Sequence, residues 1–565
     1  MHSNNKASSL TALVFLTMAF AGTPARAGSV TFTMTELWAP QGGWSVANDI
    51  NDLGQVAGFV QTGALETRRA AVWQPDQTLK LALGEATYSE ASALNNLGQA
   101  VGYVGYGSGQ TRAALWNGTQ LQVLGTAGQW GDRANGINDS GLVVGSVIAS
   151  NHYQHAAAWQ NGQLTDVGAA TLPMDSASTA NGVNQAGQIV GSSGVGGLGN
   201  HTPLIWDAFS GQYAIEDHGG YYGGTSINDL GQVLSIRVVT IDGKSVAQPL
   251  VVQGSLVTQL LPDNQDGMFF KINNAGQAVG SAGLYTAMLW SPSGGTVSIN
   301  NYLQGGTSIS GVRSINQYGQ MAVSTTGNRA AILTPTGTVR WSGHTGGSFV
   351  EAANWDSGLG FAPNKFLDAE IATTDDQDVI GPGYDLTVKR LTVGGGGGIS
   401  RLLLVDYGRL DATGGTRLLS GGRLVPFGGE ALFATGHLAG DLTMQEGSGL
   451  EFKAGDAAAG SFDRLVIEGA LQIDGGDFIL TLDGQHGGHL GDRYDFIDAT
   501  SINGHFTHLV LPTLAIGLAW DSSLLYSEGV LSVRAVPEPS TAALLLAGLF
   551  GLAGVARRTR RAGRL

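Results

Sequence analysis

The chain has 565 residues, of which 88 are glycine, 15 proline and none cysteine; 42% are hydrophobic, 13% are charged, and the net charge is −15. So much apolar content excludes a disordered chain, and so much glycine excludes long helices, since each interior glycine costs about 1 kcal/mol. The lack of cysteine excludes disulfides and thiolate metal sites, and the acidic charge argues against nucleic acid as a partner.

Residues 1–9 are polar with one lysine, Lys6, and residues 10–22 are an apolar run. Ala25-Arg26-Ala27 then forms an A-x-A cleavage site ahead of Gly28. This pattern predicts a secretory signal peptide over 1–27, cut before Gly28.

The stretch INDLGQVAGF at 50–59 returns in near-copies along the next 270 residues. Its asparagine falls at Asn51, Asn95, Asn138, Asn184, Asn228, Asn273 and Asn316, with spacings of 44, 43, 46, 44, 45 and 43 residues. A period near 44 matches one four-stranded propeller blade. A helical repeat of that length would need 3.6-period segments free of glycine, and there are none. Each asparagine is followed three residues later by Gly54, Gly98, Gly141, Gly187, Gly231, Gly276 or Gly319. This spacing predicts a type I turn with a glycine bulge: the asparagine side chain bonds back to the main chain and the glycine takes a left-handed conformation. Asp52, Asp139 and Asp229 share the second turn position in alternate units and read as turn formers rather than acids.

The third strand of a unit ends in Trp73, Trp116, Trp159, Trp206 or Trp290, with Val251 or Val252 in unit five and Leu333 in unit seven. One large apolar side chain per unit predicts packing between stacked blades; a row of exposed, sugar-stacking tryptophans is the alternative. The run Val30 to Leu37 precedes the first turn and is available to complete the seventh blade, which would close the ring and leave no open edge. The expectation is an all-β chain with a seven-bladed β-propeller over 29–337; an open array of hairpins is the alternative. The Ile-Asn-x-x-Gly-Gln-x-x-Gly core and the Ala-x-x-Trp strand resemble the HAF family of extracellular repeats. That resemblance implies an exported repeat domain and supplies no activity. Unit five departs most, with Ser235 in place of the closing glycine.

The period is lost from Gly337. Trp341, Gly343, Asn354, Trp355 and Pro363 mark a segment that resembles the start of many bacterial surface β-domains. Glycine-punctuated strands follow, predicting a second β-rich domain over 338–535, either a β-solenoid or a sandwich.

The chemistry-bearing residues are scattered. A glycosidase needs two facing carboxylates about 5–10 Å apart, and no pair stands out; Asp-box repeats of the sialidase type are absent. Asp375, Asp376 and Asp378 form an acidic cluster without EF-hand spacing, and Asp474-Gly-Gly-Asp477 occurs once, so Ca²⁺ has no support beyond oxygen-rich composition. His486/His489 and His505/His508 are pairs lacking a third zinc ligand. The glycine run 394–398 lacks the lysine and helix of a phosphate loop. No catalytic residue, metal site or cofactor is assigned.

Val536-Pro537-Glu538-Pro539-Ser540 is followed by an apolar segment over 541–556 and then Arg557, Arg558, Arg560, Arg561 and Arg564. As a helix, 541–556 would span about 24 Å, close to the ~30 Å hydrocarbon core. The arginines predict a cytoplasmic tail over 557–565, with everything before it outside. The two prolines deny the preceding segment helix and ladder bonding, leaving it extended at the membrane surface. Taken together, 536–565 resembles the PEP-CTERM sorting signal. The resemblance implies recognition by an exosortase, a membrane protease-transpeptidase of Gram-negative bacteria that make exopolysaccharide. A permanent single-span anchor is the alternative. Without the +2 of Lys6 and Arg26 and the +5 of the tail, the exported body carries about −22, which repels nucleic acid and anionic lipid.

These readings predict a non-enzymatic protein that crosses the inner membrane, is anchored transiently by 541–556, and reaches the cell surface or extracellular matrix. Its role there would be structural or ligand-binding, with a polysaccharide or another surface protein as partner. The alternatives are a carbohydrate-active hydrolase on a propeller scaffold and a permanently anchored spacer.

Overall fold

A computed structural model describes residues 29–63, 67–76, 79–81, 86–107, 109–168, 176–195, 201–207, 213–214, 221–283, 285–429, 432–483 and 488–536. The expected signal peptide, with Ala25, Ala27 and Gly28, lies outside them, as do Pro537–Ser540, the apolar segment and the arginine tail. No helix among the described residues is long and apolar enough to cross a membrane.

The chain is all-β and propeller-like in its first half. Six four-stranded antiparallel sheets follow one another at 44–81, 88–123, 133–166, 176–214, 221–259 and 267–298. Strands Ile309–Ile315, Met321–Thr325 and Ala330–Trp341 repeat the pattern once more, and their fourth partner is the first strand of the chain, Ser29–Glu36. It runs antiparallel to 331–338, from Ser29 opposite Thr338 to Glu36 opposite Ala331. The order of strands follows from the turns. In each unit the first turn residue's N–H bonds four residues on, as in Asn51 N to Gln55 O at 3.0 Å, and the turn glycine bonds back, as in Gly54 N to Asn51 O at 3.0 Å. All seven turn glycines have φ between 73° and 80°, a region costly for residues with a Cβ.

Trp73, Trp116, Trp159 and Trp206 are buried, and Trp290 is half-buried. Trp73 Nε1 donates to Trp38 O at 3.0 Å and Trp159 Nε1 to Gly125 O at 2.7 Å. They therefore pack between sheets and offer no row of stacking faces. Val252 sits opposite Val233 in unit five, the register that Trp73 holds against Val56.

The second half is a β-solenoid. Parallel strands stack into three walls. One wall rises through 338–340, 368–371, 390–393, 416–418, 442–445, 471–474 and 501–504. A second rises from 347–348 to 508–510, and a third from 386–388 to 497–499. Alternate residues point inward; Leu402, Leu424, Leu450 and Phe478 are fully buried on the second wall. An antiparallel cap of strands Arg493–Asp495, Leu518–Asp521 and Val530–Ala535 closes the far end.

No linker separates the halves. The expected boundary at 337/338 falls inside the single strand Ala330–Trp341, which pairs with Met321–Thr325 at its start and with the first solenoid rung at its end. The loop at 357–367 folds back onto the turn face. Gln277 Nε2 donates to Gly360 O at 3.2 Å, Asn364 Nδ2 to Tyr318 O at 3.3 Å, and Lys365 Nζ to Asp52 O at 3.1 Å while lying 3.9 Å from the Tyr318 ring centroid.

Asp463 is buried in the solenoid, where it accepts Ala434 N at 2.9 Å and Lys453 N at 2.7 Å. Burial outweighs those two donors and pushes its carboxyl up to about 6. A raised folded-state pKa gives stability that is complete below the unfolded value near 4 and is lost as pH rises through 6. Solenoid stability is therefore expected to fall by on the order of 2–3 kcal/mol between pH 4 and pH 6.5 through this group. Urea midpoints measured across that range should flatten in Asp463→Asn; an unchanged slope would locate the titration elsewhere.

Candidate functional site

The asparagines that open the turns form a circuit. Each sends Nδ2 to the main-chain oxygen of the next: Asn51 to Asn95 at 2.9 Å, Asn95 to Asn138 at 3.1 Å, Asn138 to Asn184 at 2.9 Å and Asn184 to Asn228 at 3.1 Å. Asn228 continues to Asn273 at 2.9 Å, Asn273 to Asn316 at 3.0 Å, and Asn316 returns to Asn51 at 2.9 Å. The remaining Nδ2 hydrogen goes to the glutamine four residues on wherever that residue is present, as in Asn273 to Gln277 Oε1 at 2.9 Å. The asparagines are nearly fully buried, so these bonds satisfy groups that water does not reach.

A second circuit runs beside the first through the next turn position. Asp52 N donates to Asn96, Asn96 N to Asp139, Asp139 N to Gln185, Gln185 N to Asp229, Asp229 N to Asn274, Asn274 N to Gln317, and Gln317 N to Asp52, all at 2.8–3.0 Å. Asp52, Asp139 and Asp229 are thus acceptors linking one turn to the next, and the amide residues of the other four units do the same work. Sequence reading missed this circuit. Its signal was present: the position is Asp, Asn or Gln in every unit. Burial raises the Asp52 carboxyl and lowers the Lys365 ammonium, each against the opposing pull of the other's charge.

Three residues before each asparagine, the innermost strand carries a β-bulge. The register slips at Asn48, Ser92, Asn135, Asn181, Thr225, Phe270 and Arg313. A bulged residue is left out of the ladder and its side chain is re-aimed. These seven line a cavity of about 300 Å³ on the axis. A smaller space of about 110 Å³ lies at the turn end, and the two share Asp49, Ile137, Val183, Ile227 and Lys271.

Most charges at this mouth are locally matched. Asp49 is buried and accepts from Ser314 Oγ and, at 3.1 Å, from Leu94 N, with Lys271 Nζ 3.4 Å away. Glu90 pairs with Arg68 and accepts from Tyr103 OH at 2.8 Å and Asn48 Nδ2 at 3.1 Å. Burial, reinforced by Glu90, pushes the Tyr103 hydroxyl up to about 12. Arg313 is exposed and lies 5.1 Å over the Phe270 ring; no carboxylate among the described residues pairs with it. On the same face, Trp130 and Tyr106 are exposed with ring centroids 5.8 Å apart, and Arg112 stacks 3.8 Å over Trp130.

The other residues singled out from sequence do not converge. Asp376 accepts Ile399 N, Asp474 accepts Gln472 Nε2, and Asp477 holds Arg423 and His508. His505 lies against Tyr526 and His489 near Asp492; His486 is outside the described residues. Among those residues no group of three His, Asp or Glu side chains is placed to hold a metal ion. Val536 is exposed at the end of the cap.

The PEP-CTERM protein-sorting motif matches residues 535–561. No curated protein matches the chain. Among solved structures, the chain is similar to a catalytically inactive virginiamycin B lyase from Staphylococcus aureus, at 9% identity and TM-score 0.37 over 54% of this chain and 99% of that one. The β-propeller domain of the Trilobed protease from Pyrococcus furiosus matches at 10% identity and TM-score 0.37, covering 51% and 93%. TolB from Acinetobacter baumannii matches at 12% identity and TM-score 0.31, covering 50% and 64%.

Proposed function

We propose that this chain is an exported surface or matrix protein whose first half is a closed seven-bladed propeller of HAF-type units over 29–337, joined to a solenoid over 338–535. It is a binding protein, and its ligand enters the axial mouth. The observation that carries this reading is the ring of bulged residues. Seven near-identical turns hold seven positions whose chemistry differs, from Asn to Phe to Arg. An invariant frame around a varied lining suits recognition better than packing. Binding is favoured over hydrolysis because Asp49 and Glu90, the carboxylates at the mouth, are held by Lys271 and Arg68, whereas a catalytic acid needs freedom to exchange its proton.

The sorting motif at 535–561 supports delivery. In this reading 1–27 is removed on export, 541–556 holds the chain in the inner membrane with the arginines inside, and an exosortase-type enzyme acts at Val536–Ser540. Mass spectrometry of the mature C-terminus in fractionated cells tests it. The expected product lacks everything beyond the Pro-Glu-Pro and is found at the surface or in the medium. Changing Pro537 and Pro539 to alanine is expected to shift most of the protein to the unprocessed, membrane-bound form. An intact tail in the inner membrane of wild-type cells would instead establish a permanent anchor. Glycan-array binding by the processed protein tests the recognition role.

A further inference from the structure

We infer that the axial mouth binds an acidic saccharide, with Arg313 on the carboxylate and the side-chain oxygens of Asn48 and Asn135 on hydroxyls. This rests on the reading of the mouth as a binding site and names its ligand class. The lining has hydrogen-bond capacity left over. Asn48 uses Nδ2 on Glu90 and on Ala91 O at 2.9 Å, and Asn135 uses Nδ2 on Ala180 O at 2.9 Å and Thr179 Oγ1 at 3.5 Å. Both amides are thereby oriented. Their Oδ1 atoms accept nothing from the described residues, and both residues are only half-buried at the cavity. An accepting oxygen there calls for a ligand that donates.

The body as a whole is acidic and opposes an anion at long range, so an anion is held here only by a local positive charge, and the lining supplies one. Lys271 answers Asp49 and Arg68 answers Glu90, so Arg313 is left as the unmatched charge of the mouth. Its planar fork suits a carboxylate. Asn135 is on the third sheet, across the ring from Arg313 on the last, and Asn48 is on the sheet next to Arg313. The arrangement fits a small molecule with an anion at one side and donors at the other. Phe270, half-buried beneath the Arg313 guanidinium, adds apolar surface to the lining. A uronic acid unit has all three features: one carboxylate, several hydroxyl donors, and a C–H face for that apolar surface. An acidic peptide has the anion but fewer donors and no such face. A cavity of about 300 Å³ is at the small end for ligand sites, which suits one or two sugar rings.

Calorimetric titration of the full chain with a glucuronic acid tetrasaccharide, a neutral glucose tetrasaccharide and a tetraglutamate peptide tests the inference. The acidic saccharide is expected to bind about tenfold more tightly than the neutral one, the difference one charge-assisted pair makes. Arg313→Gln should abolish that gap and Arg313→Lys should restore part of it. Arg313 is exposed in a bulge, so circular dichroism and the unfolding midpoint are expected to stay at wild-type values in both. Equal binding of the two saccharides would overturn the acid preference and leave the binding role standing. Preferential binding of the peptide would overturn the saccharide class. An acid preference retained in Arg313→Gln and lost in Trp130→Ala would move the site to the aromatic patch and overturn the axial assignment. No binding of any of the three by the folded wild type would overturn both this inference and the recognition role it rests on.

Discussion

Asn273→Ala is expected to lower the stability of the propeller half by about 3–5 kcal/mol, the largest effect of any single turn residue. Asn273 is buried, and its amide serves three partners at once: Asn316 O at 3.0 Å, Gln277 Oε1 at 2.9 Å and Gln277 N at 2.9 Å. Alanine removes all three and leaves the partners behind, dry and unmatched, at about 1–3 kcal/mol each. Asn273→Asp should be at least as damaging, because it replaces a double donor by a charge facing two oxygens. The neighbouring Asn274 belongs to the outer circuit and is half-buried, and its two side-chain bonds to Asp229 lie where water reaches them. Asn274→Ala is therefore expected to cost about 1 kcal/mol or less. Urea midpoints of the two alanine variants, compared at equal slope, measure the contrast. Similar losses for both would mean that the inner circuit owes its pattern to turn formation alone.

Phe32→Ala carries the second large effect, about 3–5 kcal/mol. Phe32 lies on the first strand of the chain, is 1% exposed and faces Phe361 with ring centroids 6.1 Å apart. Gln304 N also bonds its main-chain oxygen at 3.0 Å. The residue thus fixes the N-terminal strand, the last sheet and the solenoid's returning loop at one point. Its loss should free the first strand, and amide exchange over 331–338 should accelerate while the middle sheets stay protected. Uniform acceleration across every sheet would show instead that the first strand has no separate role in closure.

Much of the first half was legible in the sequence because its punctuation is local. A turn that needs Asn at one place and Gly three residues later declares itself seven times. The bulged ring was not legible, since a bulge is a mismatch between two strands and neither strand encodes it alone. In hindsight, the variability at Asn48, Ser92, Asn135, Asn181, Thr225, Phe270 and Arg313, next to fixed turns, marks the position. The solenoid was half legible. Its alternation was clear, but its successive rungs differ in length: along the first wall Thr338, Asp368, Arg390 and Thr416 begin rungs 30, 22 and 26 residues apart. Corners of differing length blur any short repeat. The return of Gly360, Asn364 and Lys365 to the turn face was invisible, because a long-range contact of a few polar residues leaves no periodic trace.

The strand Ala330–Trp341 belongs to both halves, and that continuity sets how the molecule answers to tension. A pull on the C-terminal end is passed down the stacked rungs and along this one strand into the propeller, with no slack tether in between. There the strand is matched by eight residue pairs to Ser29–Glu36, running lengthwise to the pull, so those pairs resist in shear together rather than peeling one by one. A protein held at one end and gripped by a moving polymer at the other would be mechanically strongest along that line.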